Sequence, residues 1–389
     1  MTTISTLKDF EHLIRIPEAL RRKVAIIEPD SSIGQNPQGE PVVASQNIGF
    51  IVREIMGWEP ILFQIWKSGV RKLDTIIPLA PLLRSSHTII VEGGRASIYD
   101  KKSFDINPAL PQEEFLSLIE TLLLHRPRGS APAFFICLGH QAVGEALVRL
   151  VRRAVDEIPK ADDLDSPVKK DLHEVASRIH ELGQELPIVR EQGVIANGYR
   201  DARFAVAPNE QREVGVRELQ PFQPPKNLPL PLLNAHQQIA AAESGLIEDL
   251  LRIEDFDITM LHGDEINQEA VLFANWALVE IHRAIQKHQF EVAKSSLAWL
   301  QQLPDGVEIL CSTFIPDTST LLTEIAATAI YYQDLKSGLT RRDFTLQFHP
   351  EILEDMRTFS GKTPSPRPLQ ASDGVRLLLS TLFYGLIES

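Results

Sequence analysis

The sequence predicts an α/β fold, a parallel sheet covered by helices on both faces. Short apolar runs of strand length end in turns rich in glycine or proline, as strands buried on both sides do. Amphipathic stretches of helical period stand between them, and that strand–helix rhythm marks parallel crossover units. A hydrophobic content of 43% beside 23% charged residues supplies a sizeable core and excludes global disorder.

Taken in order, Lys23-Val-Ala-Ile-Ile-Glu28 is the first strand, closed by the turn-rich residues 29–34. Residues 47–56 carry Ile48, Ile51, Val52 and Ile55 at helical spacing and stop at Gly57. A second strand covers 59–65, and a third, 87–91, runs straight into Glu92-Gly93-Gly94. Residues 111–125 form a helix with Phe115, Leu118, Ile119, Leu122 and Leu123 on one face, and 133–137 form a fourth strand. Residues 168–186 read as a polar amphipathic helix, whereas 220–231 carry too many prolines for one and form an extended connection. Residues 267–303 are helical, with Trp276 and Trp299 as core candidates. Residues 323–330 read as an amphipathic or buried strand and 344–348 as another, before a helix near 374–388. No internal repeat occurs.

At 389 residues the chain allows two or three domains, or one domain enlarged by insertions. Its 39 Lys and Arg against 52 Asp and Glu give a net charge of −13, which argues against nucleic-acid and anionic-membrane partners. Two cysteines, Cys137 and Cys311, make neither a disulfide framework nor a zinc ribbon and suit a reducing cytosol. Residues 1–25 lack the apolar core of a signal peptide, and no run approaches the roughly 18–20 apolar residues that cross a bilayer. A soluble cytoplasmic protein is expected.

Three segments carry candidate chemistry. In Phe134-Phe-Ile-Cys137-Leu138-Gly139-His140-Gln141, an apolar strand meets a cysteine, then a glycine, then a helix. A sharp strand-to-helix turn lifts the thiol from the sheet edge to a helix N-terminus, where unpaired amides and the dipole favour the attacking thiolate. In Phe348-His349-Pro350-Glu351, extended geometry puts His349 and Glu351 on one side, so the carboxylate can fix the imidazole's tautomer. In Glu92-Gly93-Gly94, backbone N–H groups can turn toward a developing oxyanion. Each has a plainer reading alone: a core thiol, a surface turn and an ordinary glycine turn.

Together and in this order, the three segments resemble the class I glutamine amidotransferase family. Cys137-Leu-Gly-His-Gln141 and Gln347-Phe-His-Pro-Glu351 match that family's nucleophile and base motifs letter for letter. Glu92-Gly-Gly-Arg-Ala-Ser-Ile-Tyr-Asp100 is similar to its glycine loop, with Arg95 where a proline is usual. Residues 213–219, 261–264 and 303–310 resemble its later hairpin region more loosely. The resemblance spans 22–150 and, discontinuously, about 205–265 and 303–360.

It implies a flavodoxin-like, mostly parallel sheet with helices on both faces. It also implies a catalytic triad of Cys137, His349 and Glu351 that cleaves the side-chain amide of glutamine through a γ-glutamyl thioester and releases ammonia. The N–H groups of Gly94 and Leu138 would hold the oxyanion, and Gly93, Gln141, His262 and Gly263 would line the substrate pocket. The family prefers a serine near 262–264, which this chain lacks. No cofactor or metal is implied.

The whole of 1–389 is then one enlarged domain, with helical insertions at about 151–205 and 266–302 and a C-terminal helical extension at 367–389. No pyrophosphatase loop or P-loop occurs, since Met356 stands where the first glycine before Gly361-Lys362-Thr363 would be. Ammonia would therefore pass to a separate synthase subunit. Alternatively, the protein acts alone as a γ-glutamyl peptide or amine hydrolase, or keeps the fold as a non-catalytic scaffold. Cys311 reads as a core thiol, and Arg149, Arg152 and Arg153 as a solvated helix end.

Overall fold

The computed structural model describes residues 23–29, 34–35, 41–42, 44–65, 88–99, 103–104, 111–128, 130–185, 205–224, 228–242, 256–314, 323–333 and 340–350. The strands are β1 (Lys23–Glu28), the short pair β2 (Gly34–Gln35) and β3 (Pro41–Val42), β4 (Glu59–Gln64), β5 (Thr88–Val91), β6 (Ala133–Ile136), β7 (Val206–Pro221), β8 (Phe256–Ile266), β9 (Gly306–Phe314), β10 (Thr323–Gln333) and β11 (Thr340–Leu346). The helices are α1 (Ala44–Phe50), α2 (Gln112–His125), α3 (Leu138–Glu157), α4 (Ser166–Glu185), α5 (Leu230–Ala242), α6 (Gln268–Lys287) and the single turn α7 (Gln289–Val292). Among the described residues, no helix is long and apolar enough to cross a membrane.

The fold is α/β, built on one sheet in the order β4-β1-β5-β6-β11-β10-β9-β7-β8. Pairing is parallel from β4 through β11 and antiparallel from β11 to β8. The apolar runs divide by period two between the sheet's faces. Ala25, Ile27, Ile89, Val91, Ala133 and Phe135 join one core with residues of α2, α3, α4 and α6. Val24, Ile26, Ile90, Phe134 and Ile136 join the other, with Ile48 of α1 and the Ile51, Val52 and Met56 side chains that follow it. The expected helix over 47–56 is α1 followed by a wider turn at Ile51–Ile55.

Central strand β11 lies between the two halves of the sheet. Its parallel register with β6 pairs Phe344 with Phe134, Thr345 with Phe135 and Leu346 with Ile136. The Phe134 and Phe344 rings stack across that register with centroids 5.7 Å apart. At the other end of the pair sits a buried ion cluster. The Asp343 carboxylate takes the Arg126 guanidinium at 2.8 Å and the Ala133 N–H at 2.8 Å, with Arg341 Nε 3.2 Å away. Arg341 also donates to the Arg126 and Pro127 carbonyls and covers the Tyr332 ring at 3.7 Å. Two buried cations and one anion are bearable only because so many acceptors surround them.

Helices α4 and α6 fall inside the stretches where insertions are expected, and they are integral to the packing. Helix α6 lies against α3, α4, α5 and β9 and is buried from Ala270 to Ile285 except at Arg283. Asn267 caps it by accepting from the N–H groups of Glu269 and Ala270, and its own N–H donates to Ala205. Trp276 is buried, and Trp299 is partly buried, donating to Glu157. Cys311 is a core thiol that burial pushes far above its usual range. Arg149 meets Glu113 and Glu120, and Arg153 meets Glu157. The expected helix near 374–388, and the extension at 367–389, lie outside the described residues.

The Ala205 N–H, at the root of the β7–β8 hairpin, donates to Glu145 of α3 at 2.6 Å. Burial is the main cause that pushes the Glu145 carboxyl up to about 7, opposed by that hydrogen bond and by Arg152 and Arg149.

Both sets of buried groups are open to test. Asp343→Ala leaves two guanidiniums uncompensated and should cost about 3–5 kcal/mol in urea unfolding; a loss under about 1 kcal/mol, the scale of a surface pair, would show that the cluster does not hold β11. The native state binds the Glu145 proton more tightly than the unfolded chain, so this group's contribution to stability falls as pH rises from 4.5 to about 7. Glu145→Gln keeps an acceptor for Ala205 and should remove that decline, leaving the variant more stable above neutrality by up to about 3 kcal/mol. Parallel stability–pH curves for the two proteins would contradict this.

Candidate active site

Strand β6 ends at Ile136, and Cys137 is the next residue. Its φ of 48° and ψ of −104° make it the one non-glycine residue with positive φ among the described residues. Such a conformation costs about 1–3 kcal/mol and persists only where its surroundings over-determine it. Here the Cys137 N–H donates to the Leu346 carbonyl at 2.7 Å, and its carbonyl accepts from Gln141 N at 3.0 Å. Gly139 lets α3 start against β5, since a Cβ there would lie 2.8 Å from the Val91 carbonyl oxygen. The result is the predicted sharp turn, with the sulfur at the first turn of a helix whose leading N–H groups have no intrahelical acceptors.

His349 follows β11 by three residues, and the β6–β11 register brings it to the same sheet end as Cys137. Gly93, just beyond β5, lies between the two side chains. A Cβ on it would stand 2.8 Å from His349 Cε1, 3.1 Å from Cys137 Cβ and 3.6 Å from Cys137 Sγ. The sulfur and the imidazole carbon are thus no farther apart than the first and last of these distances laid end to end. Cys137 is 4% exposed and His349 2%, so the pair is enclosed and little of the thiol meets bulk water.

The other candidates fall around this pair to differing degrees. Gln141 is buried in the first turns of α3, with Nε2 3.3 Å from the Asp264 carbonyl and 3.5 Å from Gln347 Oε1. Leu138 is the first residue of α3 and is buried; Gly94 is half-buried beside Gly93. His262 lies in β8 opposite Glu213 of β7, and Gly263 follows it. Arg95 is exposed. Glu351 lies outside the described residues. Among the described residues, no group of three or more His, Cys, Asp or Glu side chains is placed to hold a metal ion.

Sequence reasoning missed Gln347 as a neighbour of the thiol, although its Nε2 is 4.0 Å from Cys137 Sγ. The period-two rule that paired His349 with Glu351 also includes position 347. It missed the contact that Asp264 makes, its carboxylate accepting from the Tyr99 hydroxyl at 3.0 Å. Only the fold brings those two residues together.

No family model matches the chain, and no curated protein matches it. Among solved structures it is similar to one described as a GMP synthase subunit from Thermoplasma acidophilum. The identity is 11% and the TM-score 0.36, over 94% of this chain and 95% of that one. A likeness of that size carries no argument, and the functional reading rests on the residues above.

Gly93→Ala tests the geometry directly. The new methyl must displace the imidazole or the thiol, so labelling of Cys137 by a small electrophile should slow about a hundredfold, the scale of a 1 Å misplacement. Unchanged labelling in a folded variant would mean that the two side chains do not work together.

Proposed function

We propose that the protein is a cysteine hydrolase of the glutamine amidotransferase type, which cleaves the side-chain amide of glutamine and releases ammonia. The observation that carries this reading is the strained turn at Cys137 with the His349 imidazole against the same glycine. Backbone strain of this kind collects at functional sites, and no packing need of a core cysteine accounts for it. The five parallel strands run second, first, third, fourth and fifth along the chain. That order supports the flavodoxin-like class, in which ligands bind at the carboxyl ends of the strands, where Cys137 and His349 stand.

The chemistry runs as acyl transfer. The thiolate attacks the γ-carbonyl carbon, and the N–H groups of Gly94 and Leu138 receive the charge that develops on its oxygen. The amide C–N bond breaks, and the leaving nitrogen takes the proton held by His349, departing as ammonia. Water, deprotonated by the same imidazole, then attacks the thioester, which yields glutamate and the free thiol. Glu351 orients His349 in this scheme, and Gly93, Gln141, His262 and Gly263 shape the pocket. A separate synthase subunit takes up the ammonia.

The near-complete enclosure of Cys137 favours a second reading, a scaffold that keeps the fold without turnover. A glutamine-like diazo compound or chloroketone separates the two. The hydrolase reading expects covalent modification of Cys137, absent in Cys137→Ala, together with ammonia release from glutamine. Ammonia release without cleavage of γ-glutamyl peptides supports the amidotransferase type; cleavage of the peptides alone points to a γ-glutamyl hydrolase. No modification of a folded protein at neutral pH overturns both enzymatic readings.

A further inference from the structure

Gln347 is fully buried directly after β11, where its backbone N–H donates to the Ala326 carbonyl at 2.9 Å. Its side-chain amide lies between Gln141 and the Cys137 sulfur. The orientation of that amide follows from hydrogen-bond logic. The Asp264 carbonyl can only accept, so the Gln141 atom 3.3 Å away must be the donor Nε2. That nitrogen also lies 3.5 Å from Gln347, which must present its oxygen there. The far end of the Gln347 amide, 4.0 Å from Cys137 Sγ, is therefore its NH2 group.

We propose that Gln347 is a positioning residue for the Cys137 nucleophile, its N–H facing the sulfur and stabilising the thiolate, with Gln141 and the Asp264 carbonyl fixing the direction of the amide. The inference rests on the proposed function only in taking Cys137 as a nucleophile. A donor facing a buried anion favours the charged form, and sulfur accepts such bonds at longer range than oxygen. With Gln347 and Gln141 both buried, water does not replace the donor when it is removed. Ionisable groups on or next to the adjoining elements include His349 beyond β11, Glu92 just past β5, His140 in α3 and Asp264 in β8. A neutral substitution at 347 changes none of their charges.

The experiment follows alkylation of Cys137 by iodoacetamide across pH, with peptide masses separating it from Cys311. Gln347→Met keeps the volume and loses the donor. It should react about tenfold more slowly near neutral pH, with the gap closing as the pH is raised and the thiolate forms without the donor's help. Gln141→Met releases the amide to turn and should show a smaller loss of the same kind, and the double variant no more than Gln347→Met alone. Should Gln347→Met not fold, Gln347→Glu replaces the donor with an anion of the same shape and should slow the reaction at least as much. Equal rates near neutral pH, a deficit that persists at high pH, or a wild-type thiol inert throughout overturns the proposal. Alkylation that follows this pattern without glutamine hydrolysis would remove the proposed reaction and leave this inference standing; hydrolysis with equal alkylation rates would do the reverse.

Discussion

The arrangement depends above all on the parallel register between β6 and β11. Leu346 opposite Ile136 puts Cys137 and His349 at one sheet end, although most of the second half of the chain separates them in sequence. A slip of one residue would turn every side chain of β11 to the other face and carry His349 away from the thiol. The register is held twice: by the Asp343 ion cluster at one end and by the Cys137 N–H on the Leu346 carbonyl at the other. The ion cluster lies at the far end of the strand from Cys137 and His349; it fixes the phase of the strand that delivers the imidazole.

Two glycines complete the local geometry, each for a different reason. Gly139 permits the close approach of α3 to β5 that the turn at Cys137 requires, and Gly93 keeps open the space shared by sulfur and imidazole. The strain at Cys137 is then imposed by its neighbours: a hydrogen bond on each side of the residue and a tightly seated helix leave it no relaxed alternative.

Most of the parallel half of the sheet was legible because its strands carry short apolar runs bounded by turns, as at Ala133–Ile136. The β7–β8 hairpin gave no such pattern: Pro208, Asn209, Glu210, Gln211 and Arg212 sit inside β7, where the register with β8 shifts between Pro208 and Glu213. The start of β11 was hidden for the opposite reason. Arg341, Arg342 and Asp343 read as surface residues until Arg126, remote in sequence, supplies the partner that lets Asp343 be buried. At the site, Cys137 and His349 were legible from motif and spacing. The direction of the Gln347 amide was not, because an acceptor on a distant strand determines it.

The order in which the strands emerge during synthesis has a consequence of its own. β11 is the last of the described strands to be made, yet it takes a central place, with β6 on one side and β10 on the other. Until it arrives, both neighbours present open edges and the thiol has no imidazole beside it. A growing polypeptide on the ribosome therefore carries Cys137 without its imidazole neighbour, and a nascent fragment ending before β11 has two half-sheets with no strand between them.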